Sequence, residues 1–327
     1  MVINNEKVIV TGSAGFLGKA VCRELLRAGH QVLGIDRRPQ RLHSEGIHTE
    51  MCDITNRKPL TAIVRSFSPE CIVHLAARTD LDETKDITGY AANTDGVGNI
   101  VYACEQTPSI RRVLYTSTQL VCRVGYNPSH DTDYCPSTLY GESKVVGERI
   151  VRDSDSAGKE WCLLRPTTIW GPGMSAHYVR FLKMIRKGWY FHVGKKPLYK
   201  SYGYVGNSAH QYRMLLKAPP SAIHQGTFYI ADYEPLCLQT WADMIAAEMA
   251  APRVKTIPSP IARGLALAGD LVTGLGLTSF PFTSFRLNNI LTSYIVDMEA
   301  TKTVCGPLPY SVREGVRSLV HWMSGGK

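Results

Sequence analysis

The stretch Lys7-Val-Ile-Val-Thr-Gly-Ser-Ala-Gly-Phe-Leu-Gly18 decides the fold. Val8 to Val10 are apolar and β-branched, as a buried strand requires. The turn that follows has the spacing G-x-x-G-x-x-G. Gly12 permits a tight turn, Gly15 lets the backbone approach a pyrophosphate, and Gly18 lets the next helix sit close on the sheet. A helical pattern then runs from Phe16 to Ala28, with Gly29 as its stop. Gln31 to Asp36 reads as the next strand. Strand, glycine turn, helix and strand make a βαβ unit, which needs a parallel sheet. The first turn of its helix offers free N–H groups to phosphate oxygens.

The same alternation continues outward. Cys71–Leu75, Val113–Ser117 and Trp161–Arg165 read as strands. Helical stretches lie near Pro59–Phe67, Ala91–Glu105 and Gly141–Arg152. Such alternation predicts an α/β fold with a doubly wound parallel sheet. After Pro166 the texture changes to the turn-rich Trp170-Gly-Pro-Gly173, a basic helix over Ala176–Lys187 and shorter mixed elements. The division expected is a cofactor domain over 1–170, to which some later strands and helices return. A smaller α/β substrate lobe fills most of 171–327.

Composition bounds the rest. The chain has 327 residues, 44% hydrophobic and 20% charged, which excludes disorder, collagen and coiled coil as descriptions of the whole. Lys and Arg number 37 against 28 Asp and Glu, for a net charge of +9. Nucleic acid, an anionic membrane or a phosphate-bearing small molecule all suit that sign. No aromatic-plus-basic nucleic-acid motif occurs, so the charge is assigned to a diphosphate cofactor and a diphosphate substrate. Nine scattered cysteines without a C-x-x-C pair argue against a disulfide framework or structural zinc, and no metal is expected. No signal peptide is read at the start, and the expected location is cytoplasmic. The apolar segment Ile261–Phe282 holds Arg263, Asp270 and several glycines, so it reads as a packed helix pair and not a membrane span.

Asp36 ends the second strand, where an acid can accept hydrogen bonds from adenosine ribose hydroxyls. Arg37 and Arg38 follow and could hold a 2′-phosphate, but Asp36 would repel it, which favours NAD while leaving NADP possible. Asp53 could take the adenine amino group. Tyr140-Gly-Glu-Ser-Lys144 places a phenol and an ammonium on one helix face. A lysine charge there would favour the phenolate and let Tyr140 exchange a proton near neutral pH. Thr118, with Ser117 next in line, supplies a strand-end hydroxyl to orient the reacting oxygen.

Together these residues resemble the extended short-chain dehydrogenase/reductases, in the NAD-dependent epimerase/dehydratase group. Further matches are His74-Leu-Ala-Ala77, Asn93, Arg165-Pro166, Trp170-Gly-Pro-Gly173, Tyr204-Val205 and Tyr310-Ser-Val-Arg-Glu-Gly-Val316 with Trp322. The resemblance covers nearly the whole chain. It implies a Rossmann-type domain, a tightly held nicotinamide cofactor, catalysis by Thr118, Tyr140 and Lys144, and a homodimer. The cofactor residues it implies are Gly12, Ala14, Gly15, Phe16, Leu17, Asp36, Arg37, Asp53, Ile54, Leu75, Ala76, Ala77, Asn93, Thr116, Tyr140, Lys144 and Pro166.

Two departures narrow the reaction. Relatives that dehydrate sugars carry acids directly after the catalytic Thr, where this chain has Gln119 and Leu120, so a 4,6-dehydratase is disfavoured. Many epimerases show V-Y-G where this chain has Val121-Cys122-Arg123, which puts Cys122 either near substrate or in the core. The substrate implied is a nucleotide-diphosphate sugar, with Arg78, Thr118, Gln119, His177, Arg180, Tyr204 and Arg286 as its expected contacts. The leading reading is an epimerase working by transient hydride transfer to bound NAD through a 4-keto intermediate. A 4-ketosugar reductase would use the same residues in one direction. A 3β-hydroxysteroid dehydrogenase-like enzyme shares the motifs and would suit the apolar 261–282 stretch.

Overall fold

Val8, Ile9 and Val10 are all fully buried, so the first strand is apolar on both faces and needs helices on each side. The computed structural model describes residues 5–39, 42, 45–83, 85–274 and 283–326. The side chains of residues 176, 177, 273, 274, 285, 286 and 290 lie outside that description. The first strands are β1 (Lys7–Thr11), β2 (Gln31–Asp36), β3 (His48–Met51), β4 (Cys71–His74), β5 (Arg112–Thr116) and β6 (Glu160–Pro166). After them come β7 (Thr168–Trp170), β8 (Phe191–Val193), β9 (Tyr199–Lys200), β10 (Tyr202–Tyr204), β11 (Gly226–Ile230), β12 (Leu236–Cys237) and β13 (Lys255–Ile257). The first helices are α1 (Phe16–Arg27), α2 (Arg57–Phe67), α3 (Asp95–Glu105), α4 (Leu139–Asp153), α5 (Ala176–Arg186) and α6 (Val205–Lys217). The rest are α7 (Pro220–Ile223), α8 (Leu238–Glu248), α9 (Ser259–Gly274), α10 (Ser284–Leu291), α11 (Glu299–Cys305) and α12 (Val312–Met323).

The chain divides into two units. The first comprises residues 1–169, 203–233 and 297–310. Its seven-stranded sheet has the order β11-β6-β5-β4-β1-β2-β3, every pairing parallel. The order reverses between β1 and β4, and ligands of doubly wound sheets bind at such a switch point. The Rossmann-type parallel sheet is therefore as expected. Alternation along β1 sorts its side chains: Val8 and Val10 pack with Val21 and Leu25 of α1 and with Tyr212 and Leu215 of α6. Ile9 packs on the other face with Leu60 and Val64 of α2 and Val97 and Ile100 of α3. Strand β3, whose side chains are mostly exposed, carries no apolar signal and was not legible in the sequence.

The second unit comprises residues 170–202, 234–296 and 311–327. Trp241 organises one part of it, stacking on Phe181 and meeting Trp170 and Tyr202 edge-on. A second small cluster joins Val193, Ala262, Ala266 and Leu287. There α9 lies on the parallel pair β8 and β13 and beside α10. Of the helix pair expected over 261–282, α9 covers the first part, α10 begins only at Ser284, and the large aliphatics of α9 point to solvent. Residues 275–282 lie outside the described residues.

Candidate active site

The glycine turn is built for close approach. Gly12 has φ +73°, and a Cβ there would stand 2.7 Å from the backbone nitrogen of Ala76. A Cβ on Gly18 would stand 2.1 Å from the carbonyl oxygen of Gly12, so nothing larger lets α1 reach the turn. Gly15 is the N-cap of α1 and gives no side-chain cap, which leaves the first N–H groups of the helix to an anionic ligand. Ser13 beside them keeps a buried hydroxyl oxygen without a hydrogen-bond partner among the described residues. Leu75 and Ala76, after β4, donate their N–H groups to Thr11, which sets the neighbouring loop against the turn. These features fit a dinucleotide pyrophosphate.

Asp36 is buried at the end of β2. Its carboxylate accepts from the Ala14 N–H at 3.0 Å, and from the Arg38 N–H and Nε at 3.0 and 3.3 Å. The acid thus braces the glycine turn and ties down Arg38, while Arg37 is exposed. Asp53 closes an Asx turn on Thr55, and Ile54 is buried against Gly96 of α3. Asn93 is spent within the protein: its amide clamps both backbone polar groups of Arg78 and donates to Ser143. The Arg78 guanidinium is likewise held by Asp80, Glu83 and the Gly89 carbonyl and lies over Tyr90. Neither is open to a ligand as the sequence reading expected, because neighbouring residues already saturate them.

Thr138 caps α4, accepting from the Gly141 N–H at 3.0 Å, which fixes where Tyr140 and Lys144 begin their shared face. Both side chains are buried. Tyr140 lies near Thr118, which follows β5 and accepts from the Leu120 N–H. Burial pushes the Tyr140 phenol up to about 12, and the Thr118 contact pulls against it. Burial also pushes the Lys144 ammonium down to about 8, against the pull of Glu148. Its Nζ donates to the Thr116 carbonyl at 2.9 Å. The expected phenolate is not what this geometry favours: burial raises the Tyr140 phenol, and the pull that opposes it comes from Thr118 and not from Lys144. Gln119 follows Thr118 with a buried amide oxygen that has no partner among the described residues.

Behind this face lies an ionic network that the sequence reading passed over. Glu148, one turn beyond Lys144, is fully buried and pairs with Arg165 of β6 at 2.7 Å. It also accepts from Ser117 at 2.5 Å and from the Tyr134 hydroxyl at 2.9 Å. The i, i+4 spacing from Lys144 and a lone arginine inside an apolar strand were the available signals. His74 lines the same small cavity as Ser117, Lys144 and Glu148. Its Nδ1 bonds Thr11 Oγ1 at 2.8 Å, while burial and then Lys144 push its pKa down to about 3.

The remaining expectations scatter. Thr116 and Pro166 end β5 and β6, and the Thr116 hydroxyl meets Tyr212. Cys122 is fully buried with Val121 and Val145, a core residue whose thiol burial pushes up. The Tyr204 ring packs edge-on against Tyr310. Arg180 is exposed on α5. The side chains of His177 and Arg286 lie outside the described residues.

The fold is that of a doubly wound dinucleotide-binding protein, with Thr118, Tyr140 and Lys144 buried near the end of β5 and the start of α4. The family model of the NAD dependent epimerase/dehydratase family matches residues 8–231, and the chain belongs to that family, with NAD as its cofactor. Among curated relatives, a 2-alkyl-3-oxoalkanoate reductase of Stenotrophomonas maltophilia is 29% identical, covering 96% of this chain and 98% of the relative. A 3 beta-hydroxysteroid dehydrogenase/Delta 5-->4-isomerase of Mycobacterium tuberculosis is 31% identical over 70% of this chain and 66% of its own. An Escherichia coli O157:H7 enzyme, the 4-epimerase of N-acetyl-glucosaminyl-diphospho-undecaprenol, is 26% identical over 62% of this chain and 61% of its own. Among solved structures, Bordetella bronchiseptica WbmH in complex with NAD+ superposes with a TM-score of 0.71 at 20% identity, covering 98% of both chains. Relatives of this kind support an enzyme of the epimerase or oxidoreductase type.

Proposed function

We propose that the protein epimerises a sugar carried on a diphosphate, with NAD held by the glycine turn. The observation that carries the reading is Thr118, Tyr140 and Lys144 buried together, with Lys144 one turn beyond Tyr140 along α4. NAD supplies the acceptor and donor of hydride when bound. Tyr140 takes the proton of the reacting hydroxyl as phenolate and returns it from the phenol when the carbonyl is reduced, and Thr118 orients that oxygen. Lys144, anchored on the Thr116 carbonyl, keeps a positive charge below its pKa of about 8 and steadies the oxygen's developing negative charge. Gln119 presents its unpartnered amide oxygen to a sugar hydroxyl. The absence of acids at Gln119 and Leu120 is why elimination of water is not proposed.

A second reading, reduction of a 3-oxo acid or oxidation of a 3β-hydroxyl, is supported by the reductase that is similar over nearly the whole chain. The test is a panel of nucleoside-diphosphate hexoses, a polyprenyl-diphosphate N-acetylhexosamine, a 2-alkyl-3-oxo acid and a 3β-hydroxysteroid. Product stereochemistry is read by NMR and cofactor by absorbance. An epimer with no net NADH change supports the first reading and shows which diphosphate carrier is used. Stoichiometric NADH use on the apolar compounds alone replaces it with the second. Tyr140→Phe should lower turnover by about 10²–10⁴-fold while leaving NAD affinity nearly unchanged.

A further inference from the structure

Formal charge is not shared between the two units. The first holds 23 basic and 23 acidic residues, the second 14 basic and 5 acidic. The whole net charge of +9 therefore belongs to the second unit. The unit with the glycine turn is formally neutral, so the excess of cations lies elsewhere than the unit expected to hold the cofactor.

The same unit carries a helix with its sizes reversed. The side chains of α9 that face the protein are Ala262 and Ala266, packed on Val193, Ile257 and Leu287. Those facing water are Ile261, Leu265, Leu267 and Leu271, at 54%, 48%, 60% and 70% exposure. At 100° per residue these four, with Ala268 and Val272, cover nearly half the helix circumference. A helix that faces only water puts its large aliphatics inward, so this face is built for another phase or partner.

Cations flank it. The Gly194 N–H bonds the Ile257 carbonyl at 2.9 Å, and Gly194 abuts Ser259, so Lys195 and Lys196 leave β8 beside the first turn of α9. Arg263 projects from α9 itself and is exposed. Asp270, the acid of α9, is turned to the Ser284 N–H at the start of α10.

We propose that α9 lies in the surface of an anionic lipid bilayer, with its leucines among the acyl chains and Lys195, Lys196 and Arg263 at the headgroups. No helix among the described residues is long and apolar enough to cross a membrane, so the attachment is to one leaflet. Aliphatic insertion and cationic attraction together are the two terms that hold such a helix at an interface, and both are present here. Docking is read without turnover, so it stands or falls separately from the reaction proposed above.

The test is flotation of the full chain, with NAD, on vesicles of phosphatidylcholine with and without phosphatidylglycerol. Binding is expected to the anionic vesicles only, weakening about tenfold as salt screens the headgroups. Leu265→Ser with Leu271→Ser should weaken it about tenfold or more, and so should Lys195→Glu with Lys196→Glu, each with the melting temperature retained. Failure of the unaltered protein to bind anionic vesicles at low salt overturns the proposal. Binding that survives the leucine pair overturns it as well. A concentration-dependent dimer that the leucine pair abolishes, without vesicle binding, assigns the face to a second copy instead.

Discussion

The two units handle charge and apolar area in opposite ways. The first balances 23 basic against 23 acidic residues and drives its large aliphatics inward: Glu148 and Arg165, both about 1% exposed, pair with each other, and Ile9, Leu25 and Ile72 are fully buried. The second leaves its cations unbalanced and turns leucines outward on α9. The difference separates a unit that must hold reacting groups to a fraction of an ångström from one whose surface is selected for what it meets.

The sharpest way to break that comparison is to unbalance the first unit. Burial alone would push the Arg165 guanidinium down, yet the Glu148 carboxylate holds it up. Removing one partner strands the other charge, so Arg165→Leu should cost about 3–5 kcal/mol of stability in denaturant melts. Glu148→Leu combined with Arg165→Leu should cost less than the single change, because no buried charge remains. A single variant that melts like the unaltered protein would show that the network does not bear on the first unit's stability.

Much of the first unit was legible because its signals are local. Three glycines at fixed spacing, a β-branched strand before them and Tyr140 four residues from Lys144 each imply one geometry. What escaped has a long-range cause. Strand β3 pairs along β2 through its backbone, and its side chains reveal nothing. Asn93 and Arg78 looked like ligand contacts until the fold brought Ser143, Asp80 and Glu83 onto them. Burial, which depends on the whole fold and which the motif cannot report, raises the Tyr140 phenol against the expected phenolate. Charge asymmetry was countable, but only once the units were known, since the second is assembled from three separate stretches.

A smaller effect tests the first unit's intolerance of stray charge through pH. His74 is buried and neutral, with its pKa held down to about 3, while an unfolded histidine protonates near 6.5. Its contribution to stability is complete above 6.5 and is lost as pH falls from there toward 3, because only the unfolded chain takes the proton. Asp232, held up to about 6 by burial against its Asn207 and Tyr204 contacts, works the other way over the range from 6 down to 3.8. His74→Gln, which keeps a polar group for Thr11, should remove on the order of 1–3 kcal/mol of the acid-side loss. Stability measured at pH 7 and pH 4.5 for both proteins checks this, and an unchanged difference between the two pH values refutes it.

The smallest expected effect lies in the second unit and sharpens the comparison most. Leu265 is about half exposed and Leu271 more so, so replacing both with serine should cost no more than about 1 kcal/mol in water. Ile9→Ala, which removes buried methyls between β1 and the helices α2 and α3, should cost about 2–5 kcal/mol. Measured side by side in urea, the two substitutions ask whether an aliphatic side chain is there for the fold. If the serine pair costs as much as Ile9→Ala, α9 is held against the protein in solution and its leucines are core. If the pair costs that little or raises solubility, those leucines contribute little to folding, and their outward placement accords with a surface that meets something other than the folded chain.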